Sequence, residues 1–283
     1  MSMAVSAPGS SANLGPGFDV LGLAVTLRAT VGSGPAPDGA HQADERHPAH
    51  IAHRLAGGDG PLWVRTRIPM GRGLGFSGAV RAAGAMLAEV QRSGASAVDD
   101  ADARQRTYDI AAQLEGHGDN AAASVYGGLT VAASAGVLTL SPHPGFALVV
   151  WIPDTTTSTD RSRVALSDTV ARSDAVHGIG NTALLVHALT TGNTQFLPAA
   201  ANDRLHQPGR LDARPDAASA MEKFTAAGAI AAWLSGSGPT VAALVDIDTA
   251  ETVATRMSTD DGSRVQIINL DVDGLVVEDE PVA

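Results

Sequence analysis

"RIPMGRGLGFSGAVRAAG", Arg67–Gly84, is the stretch that decides how this chain is read. Gly71, Gly73, Gly75 and Gly78 fall within eight residues and run into the alanine-rich "SGAVRAAGAMLAEVQR". Glycine accepts left-handed backbone and close approach, and the alanine run has the composition of a helix. Such a loop offers unhindered N–H donors together with the positive end of a helix dipole, which is what an anion needs. A plain strand–helix turn would require one glycine rather than four. We therefore expect Gly71, Arg72, Gly73, Leu74, Gly75, Phe76, Ser77 and Gly78 to hold phosphate, with the Ser77 hydroxyl able to cap the helix or ligate Mg2+. Phe76 is the anomaly, because an aromatic ring must be housed inside the turn.

Two common phosphate motifs do not apply. Lys223 is the only lysine, so a Walker A loop with its Gly-Lys-[Ser/Thr] is excluded. Gly73–Gly78 spells G-x-G-x-x-G, but Pro69 to Arg72 separate it from the preceding strand-like "LWVRTRIP". The next acid, Glu89, lies inside the same alanine-rich helix, where a dinucleotide fold would place one at the end of a second strand.

The bulk properties agree with a small-ligand protein. The chain has 283 residues, 44% hydrophobic and 17% charged, enough for a sizeable core. Its net charge of −11 makes it a poor partner for nucleic acids or anionic membranes, so an anionic ligand needs a local positive site. Cysteine is absent, which removes disulfides, thiolate nucleophiles and cysteine-bound metals. The N-terminal "MSMAVSAPGSS" lacks the features of a secretory signal, and no apolar run approaches the ~20 residues of a membrane span. A cytoplasmic location is expected.

Along the chain, "MAVSAPG" reads as a strand, Gly32–Pro61 as polar loop around the short helix "HIAHRLAG", and "SGASAVDDADARQ" as a connector before the helix "TYDIAAQLEG". A second cycle opens with "FALVVWIP", a continuous apolar run expected to be a strand buried on both faces, and closes with helices and terminal strands. Strands and helices mix in both halves without a βαβ rhythm. The expected class is α+β, with domains at 1–142 and 143–283.

Four blocks taken together resemble the motif set of the GHMP small-molecule kinases: "SSANLGPGFDVLGLA", "IPMGRGLGFSGA", "LEGHGDNAAASVYGGLTVA" and "LSGSGPT". The linking segments "DTTTSTDRSRVALSDTV" and "DRLHQPGR" are similar to those of the homoserine kinase family within it. The resemblance implies an N-terminal ribosomal-protein-S5-like domain, a C-terminal ferredoxin-like domain, and ATP-dependent phosphorylation of the homoserine hydroxyl, a step in threonine biosynthesis. It places Asp19 at the substrate ammonium, Arg163 and Arg210 at the carboxylate, Asn13 and His117 at neighbouring polar contacts, and Asn120 beside the reacting hydroxyl. A zwitterion needs such groups, since an arginine fork pairs a carboxylate better than lysine does. Arg210 and Asn120 are the residues implied in catalysis. Ser77 matches the metal-linked serine of the family. The acid eight residues before His117, a glutamate in the family, is Asp109 here, so Ser77 and Asp109 are the implied Mg2+ ligands.

Two departures touch the nucleotide half. Phe76 stands at the first serine of the family's Gly-Leu-Gly-Ser-Ser, and His50 at an adenine-contacting asparagine. The Phe76 ring is expected to turn from the phosphates and pack on the "LSGSGPT" turn or an adjacent apolar wall, because a phenyl group facing the triphosphate would desolvate charge without pairing it. A kinase for another small hydroxy amino acid, a related amino alcohol or a hydroxy acid stays open. So does a non-catalytic amino-acid-binding protein that has lost productive ATP binding. A homodimer is neither required nor excluded.

Overall fold

In the computed structural model, which describes residues 3–157, 162, 166–257 and 262–278, the first two strands build a long antiparallel ribbon. β1 (Met3–Ala12) and β2 (Leu21–Ser33) pair from Met3 opposite Ser33 to Ala12 opposite Gly22, with a register slip at Pro8/Gly9. Proline cannot donate to a ladder, so the irregularity falls where the sequence demands it. The slip seats the glycine loop: just beyond it Ser10 N donates to Leu74 O at 3.1 Å, and a Cβ on Gly9 would lie 2.7 Å from that same oxygen.

The sheet grows on both sides of this ribbon. β3 (His41–Ala43) pairs β4 (Leu62–Thr66), β4 pairs the far half of β2, and β5 (Leu129–Ala133) with β6 (Gly136–Leu140) joins the near half. α1 (Pro48–Leu55) is the short helix expected within 32–61, whereas β3 was not legible there. α2 (Phe76–Ser93) follows the glycine loop and is buried along most of its length. Its small residues permit close packing: a Cβ on Gly84 would sit 2.3 Å from Ala49 O of α1. α3 (Ala101–Glu115) begins inside the expected connector, because the Asp100 carboxylate caps it by accepting from Ala103 N at 2.7 Å. It ends at Gly116, whose φ of 78° suits glycine, and α4 (Asp119–Tyr126) starts three residues later.

The second sheet begins at β7 (Phe146–Ile152). Its order is β10–β7–β9–β8, all antiparallel, with β8 (Ala231–Leu234), β9 (Val241–Asp246) and β10 (Arg264–Asn269). Helices α5 (Arg172–Thr191), α6 (Leu197–Ala200), α7 (Gln207–Asp212) and α8 (Pro215–Ala227) separate β7 from β8, and α9 (Ala250–Met257) separates β9 from β10. This βαββαβ order is the ferredoxin-like pattern. β7 explains its apolar run: Phe146, Leu148, Val150 and Ile152 enter the core shared with the first sheet, while Ala147, Val149 and Trp151 face α8 and α9. The chain thus has the expected α+β class. Sheet membership changes between β6 and β7, and β11 (Val276–Glu278) returns to the first sheet to pair with β1. Among the described residues no helix is long and apolar enough to cross a membrane.

Candidate active site

Three turns meet in one cleft. The β1–β2 turn holds the only non-glycine residues with positive φ among those described, Asn13 (70°), Leu14 (51°) and Asp19 (58°). Side chains rarely adopt that region without compensation. Here the Asn13 amide supplies it, accepting from Asp19 N at 2.9 Å and donating to Gly236 O at 2.9 Å. Gly236 belongs to the β8–β9 turn, "LSGSGPT", which also braces the glycine loop through Ser235 Oγ donating to Gly73 O at 2.7 Å.

In the glycine loop, Gly71, Gly73 and Gly75 all have φ near +70°. The loop carbonyls are consumed by the scaffold: Thr157 N donates to Gly71 O, Ser235 Oγ to Gly73 O, Ser10 N to Leu74 O and Ala79 N to Gly75 O. Gly75 is the N-cap of α2 and offers no side-chain cap, so the first-turn amides of Phe76, Ser77 and Gly78 lack an intrahelical acceptor. Carbonyls held outward and amides left over make an anion cradle at the helix's positive end. Arg72 does not add its charge to that cradle in the manner of a phosphate clamp. Its guanidinium donates to Pro153 O at 2.8 Å and Asp154 O at 2.7 Å, strapping the loop to the chain that follows β7.

The other half of the cleft is polar and acidic. His117 Nδ1 lies 2.6 Å from Asp119 Oδ1, and the same oxygen accepts from Asn120 N at 2.7 Å. Asp119 is almost wholly buried. Ser10 Oγ donates to Asn120 Oδ1 at 2.8 Å, which fixes the amide orientation of Asn120. Asn120 also packs against the start of α2, since a Cβ on Gly78 would lie 3.1 Å from Asn120 Cβ. Asp19, His117 and Asp119 bring their ligand atoms within 4.8 Å of one another. Arg210, buried on α7, donates from Nη1 to Gly236 O at 3.1 Å and to His206 Nδ1 at 3.0 Å. Its Cζ lies 5.5 Å over the Phe18 ring.

Asn13, Asp19, Gly71–Ser77, His117, Asn120 and Arg210 therefore line one cleft, and Gly78 backs it through Asn120. Arg163 lies outside the described residues. Asp109 is not brought to the cleft. It is exposed on α3, its carboxylate accepts from Gln105 Nε2 at 2.8 Å, and it borders a separate hollow with Leu55, Arg92 and Ile110. The acid of α3 that reaches the cleft is Glu115, in the helix's last turn, paired with Arg81 and lining the same cleft as Ser77. Arg81, one turn beyond Ser77 on α2, anchors the Glu115 carboxylate in the wall of the cleft that Ser77 also lines. Counting eight residues back from His117 misses this, because α3 runs unbroken to two residues before the histidine. The local signal was an acid directly before a helix-ending glycine in "LEGH". Asp119 was also missed, although it stands in the quoted "GDN" at the start of α4.

Phe76 is half-buried, and its ring meets the His47 imidazole edge-on, 6.2 Å between centroids at 88°. Of the two sides expected for it, Phe76 packs against the apolar core and His47, while it also lines the cleft. His50 is buried with Nδ1 3.5 Å from Ala43 O and does not line the cleft.

Comparison with known proteins gives the same answer as the geometry. The family models described as GHMP kinases N terminal domain and GHMP kinases C terminal match residues 44–128 and 186–262. The chain is 38% identical to the homoserine kinase of Streptomyces coelicolor, over 90% of this chain and 88% of that protein. It is 37% identical to that of Thermus thermophilus, over 84% and 85%. The crystal structure of homoserine kinase from Cytophaga hutchinsonii superposes with a TM-score of 0.83 at 25% identity, covering 98% of this chain and 97% of the other. Glycine cradle, polar pocket, sheet order and sequence likeness converge, and the chain belongs to the homoserine kinase family of the GHMP kinases.

Proposed function

We propose that this protein transfers the γ-phosphoryl group of ATP to the hydroxyl of L-homoserine, giving O-phospho-L-homoserine and ADP. The observation that carries the proposal is the single cleft in which an amide-lined phosphate cradle faces an acid and an arginine suited to a zwitterion, with Asn120 touching both sides. Asp19 would take the substrate ammonium and Arg210, with Arg163, the carboxylate. His117 has one nitrogen committed to Asp119, which leaves Nε2 for substrate. Asn120, its amide oriented by Ser10, would direct the hydroxyl at the γ-phosphate. An amide is no general base. Rate acceleration here would come from positioning and from charge neutralisation of the phosphates.

The oxygen donors Ser77 and Glu115, which line the same cleft near the positive end of α2, would fit Mg2+, with the Glu115 carboxylate shared with Arg81. The cluster of Asp19, His117 and Asp119 fits it less well, because it offers a nitrogen and an acid already accepting two close hydrogen bonds. Ser77 and Glu115 are therefore the proposed metal ligands, in place of Ser77 and Asp109. Bound there, Mg2+ would neutralise phosphate charge.

A coupled ADP-release assay with Mg2+-ATP tests the proposal, using homoserine beside N-acetylhomoserine and homoserinol, which lack the ammonium and carboxylate respectively. ADP release that needs homoserine and falls at least tenfold with either analogue supports it. Equal release with all three compounds, or none with any, refutes it.

A further inference from the structure

His206 is fully buried, and neither of its nitrogens is idle. Nε2 lies 2.9 Å from Gly15 O and Nδ1 lies 3.0 Å from Arg210 Nη1. A carbonyl only accepts and a guanidinium only donates, so the proton must sit on Nε2 and the lone pair on Nδ1. The acid beside it does not compete for this arrangement. The Asp203 carboxylate, 3.6 Å from Nε2, accepts from the backbone N–H groups of Leu205, His206 and Gln207 at 2.7–2.9 Å and so caps α7. The Phe18 ring stacks on the imidazole at 5.0 Å and 23°, and the Arg210 guanidinium lies over the same ring. Arg210 follows His206 by four residues, one helical turn, which puts the two side chains on the same face.

We infer that His206 is the positioning residue of the substrate-carboxylate site, the Nε2–H imidazole that aims Arg210 and fastens it to the Asn13–Asp19 turn. It accepts from the arginine with one nitrogen and donates to the substrate turn with the other. Carboxylate and ammonium subsites are thereby held at a fixed spacing, which a zwitterion of defined length requires. Burial holds the imidazole below its ordinary pKa, with Arg210 pushing the same way against the raising influence of Asp203 and Asp19. An uncharged ring is what the geometry needs. The inference rests on Arg210 binding the substrate carboxylate.

Titration calorimetry on the full chain tests it, measuring homoserine and ATP affinity separately for wild type, His206→Gln, His206→Asn and Arg210→Ala, with thermal melts of each. Glutamine reaches Gly15 O but gives Arg210 no acceptor, and its homoserine Kd should rise at least tenfold while ATP Kd stays within twofold. Asparagine places Oδ1 where Nδ1 stood and should keep homoserine Kd within threefold of wild type. Equal homoserine affinity in the two His206 variants, or a parallel loss of ATP affinity, overturns the positioning role. A tenfold rise in His206→Asn overturns it too, and that variant decides alone if the glutamine protein does not fold. If Arg210→Ala raises homoserine Kd and His206→Gln does not, only this inference falls. If Arg210→Ala leaves it unchanged, the carboxylate assignment falls and takes the inference with it.

Discussion

Gly73→Ala probes the cradle where it is seated on the β8–β9 turn. A Cβ there would lie 2.2 Å from Ser235 O and 2.9 Å from Gly238 O, both backbone atoms of the β8–β9 turn. Ordinary contact requires the loop or the turn to retreat by roughly 1 Å, a misplacement that costs on the order of 10²-fold in rate when it moves reacting groups. The retreat also strains the bond from Ser235 Oγ to Gly73 O, worth about 1 kcal/mol. Part of any effect is backbone strain, since Gly73 has φ of +75°. Gly39→Ala isolates that part: its φ is +77° and nothing lies within 4 Å of the added Cβ. The left-handed region costs alanine about 1–2 kcal/mol. Gly39→Ala should lose about that much stability by thermal melting and Gly73→Ala at least about 1 kcal/mol more, but only Gly73→Ala should lose catalysis, by about 10²-fold in kcat/KM for ATP. If the two variants match within about threefold in kcat/KM, the loop is not seated against the β8–β9 turn in the way described.

Other consequences are as direct. Glu115→Gln should raise the Mg2+ concentration needed for half-maximal activity at least tenfold, because a charged ligand becomes neutral, while Asp109→Asn should stay within twofold; a magnesium titration giving the reverse order would restore Asp109 to the metal site. Phe76→Ser should leave ATP affinity equal or tighter and lower stability by about 1–2 kcal/mol, since the ring is half-buried and packs on His47. Weaker ATP binding in the serine variant would make the ring itself a nucleotide contact. Burial lowers the pKa of His47, His53 and His206 in the folded chain. The unfolded chain then takes up these protons first as pH drops through about 6.5, so stability falls with acidification in that window. Urea midpoints should be lower at pH 5.5 than at pH 7.5, and a flat profile would contradict the assigned neutral histidines.

The site was more legible than the fold around it. Gly71–Gly78 announces itself because its requirement is local: positive φ at three glycines and amides left over at a helix start. Asn13, Asp19, His117, Asn120 and Arg210 came from motif resemblance, and the cleft gathers all five. What escaped depends on long-range or dimensional facts. The pairing of Val276–Glu278 with β1 leaves no mark in either segment. That Glu115 rather than Asp109 lines the cleft depends on where α3 ends, which the Gly116 terminus fixes. The partner of Phe76, His47, lies twenty-nine residues upstream at the start of a different helix and could not be read from the sequence.

Phosphorylation of homoserine in this cleft can be observed directly. Phosphorus NMR of the purified protein with Mg2+-ATP and saturating homoserine observes that chemistry without a coupling enzyme. A new phosphomonoester resonance should grow in step with ADP, coupled to the protons on the γ-carbon of homoserine, and be missing when homoserine is left out. ADP appearing with only inorganic phosphate beside it, or a spectrum in which ATP persists unchanged, would contradict it.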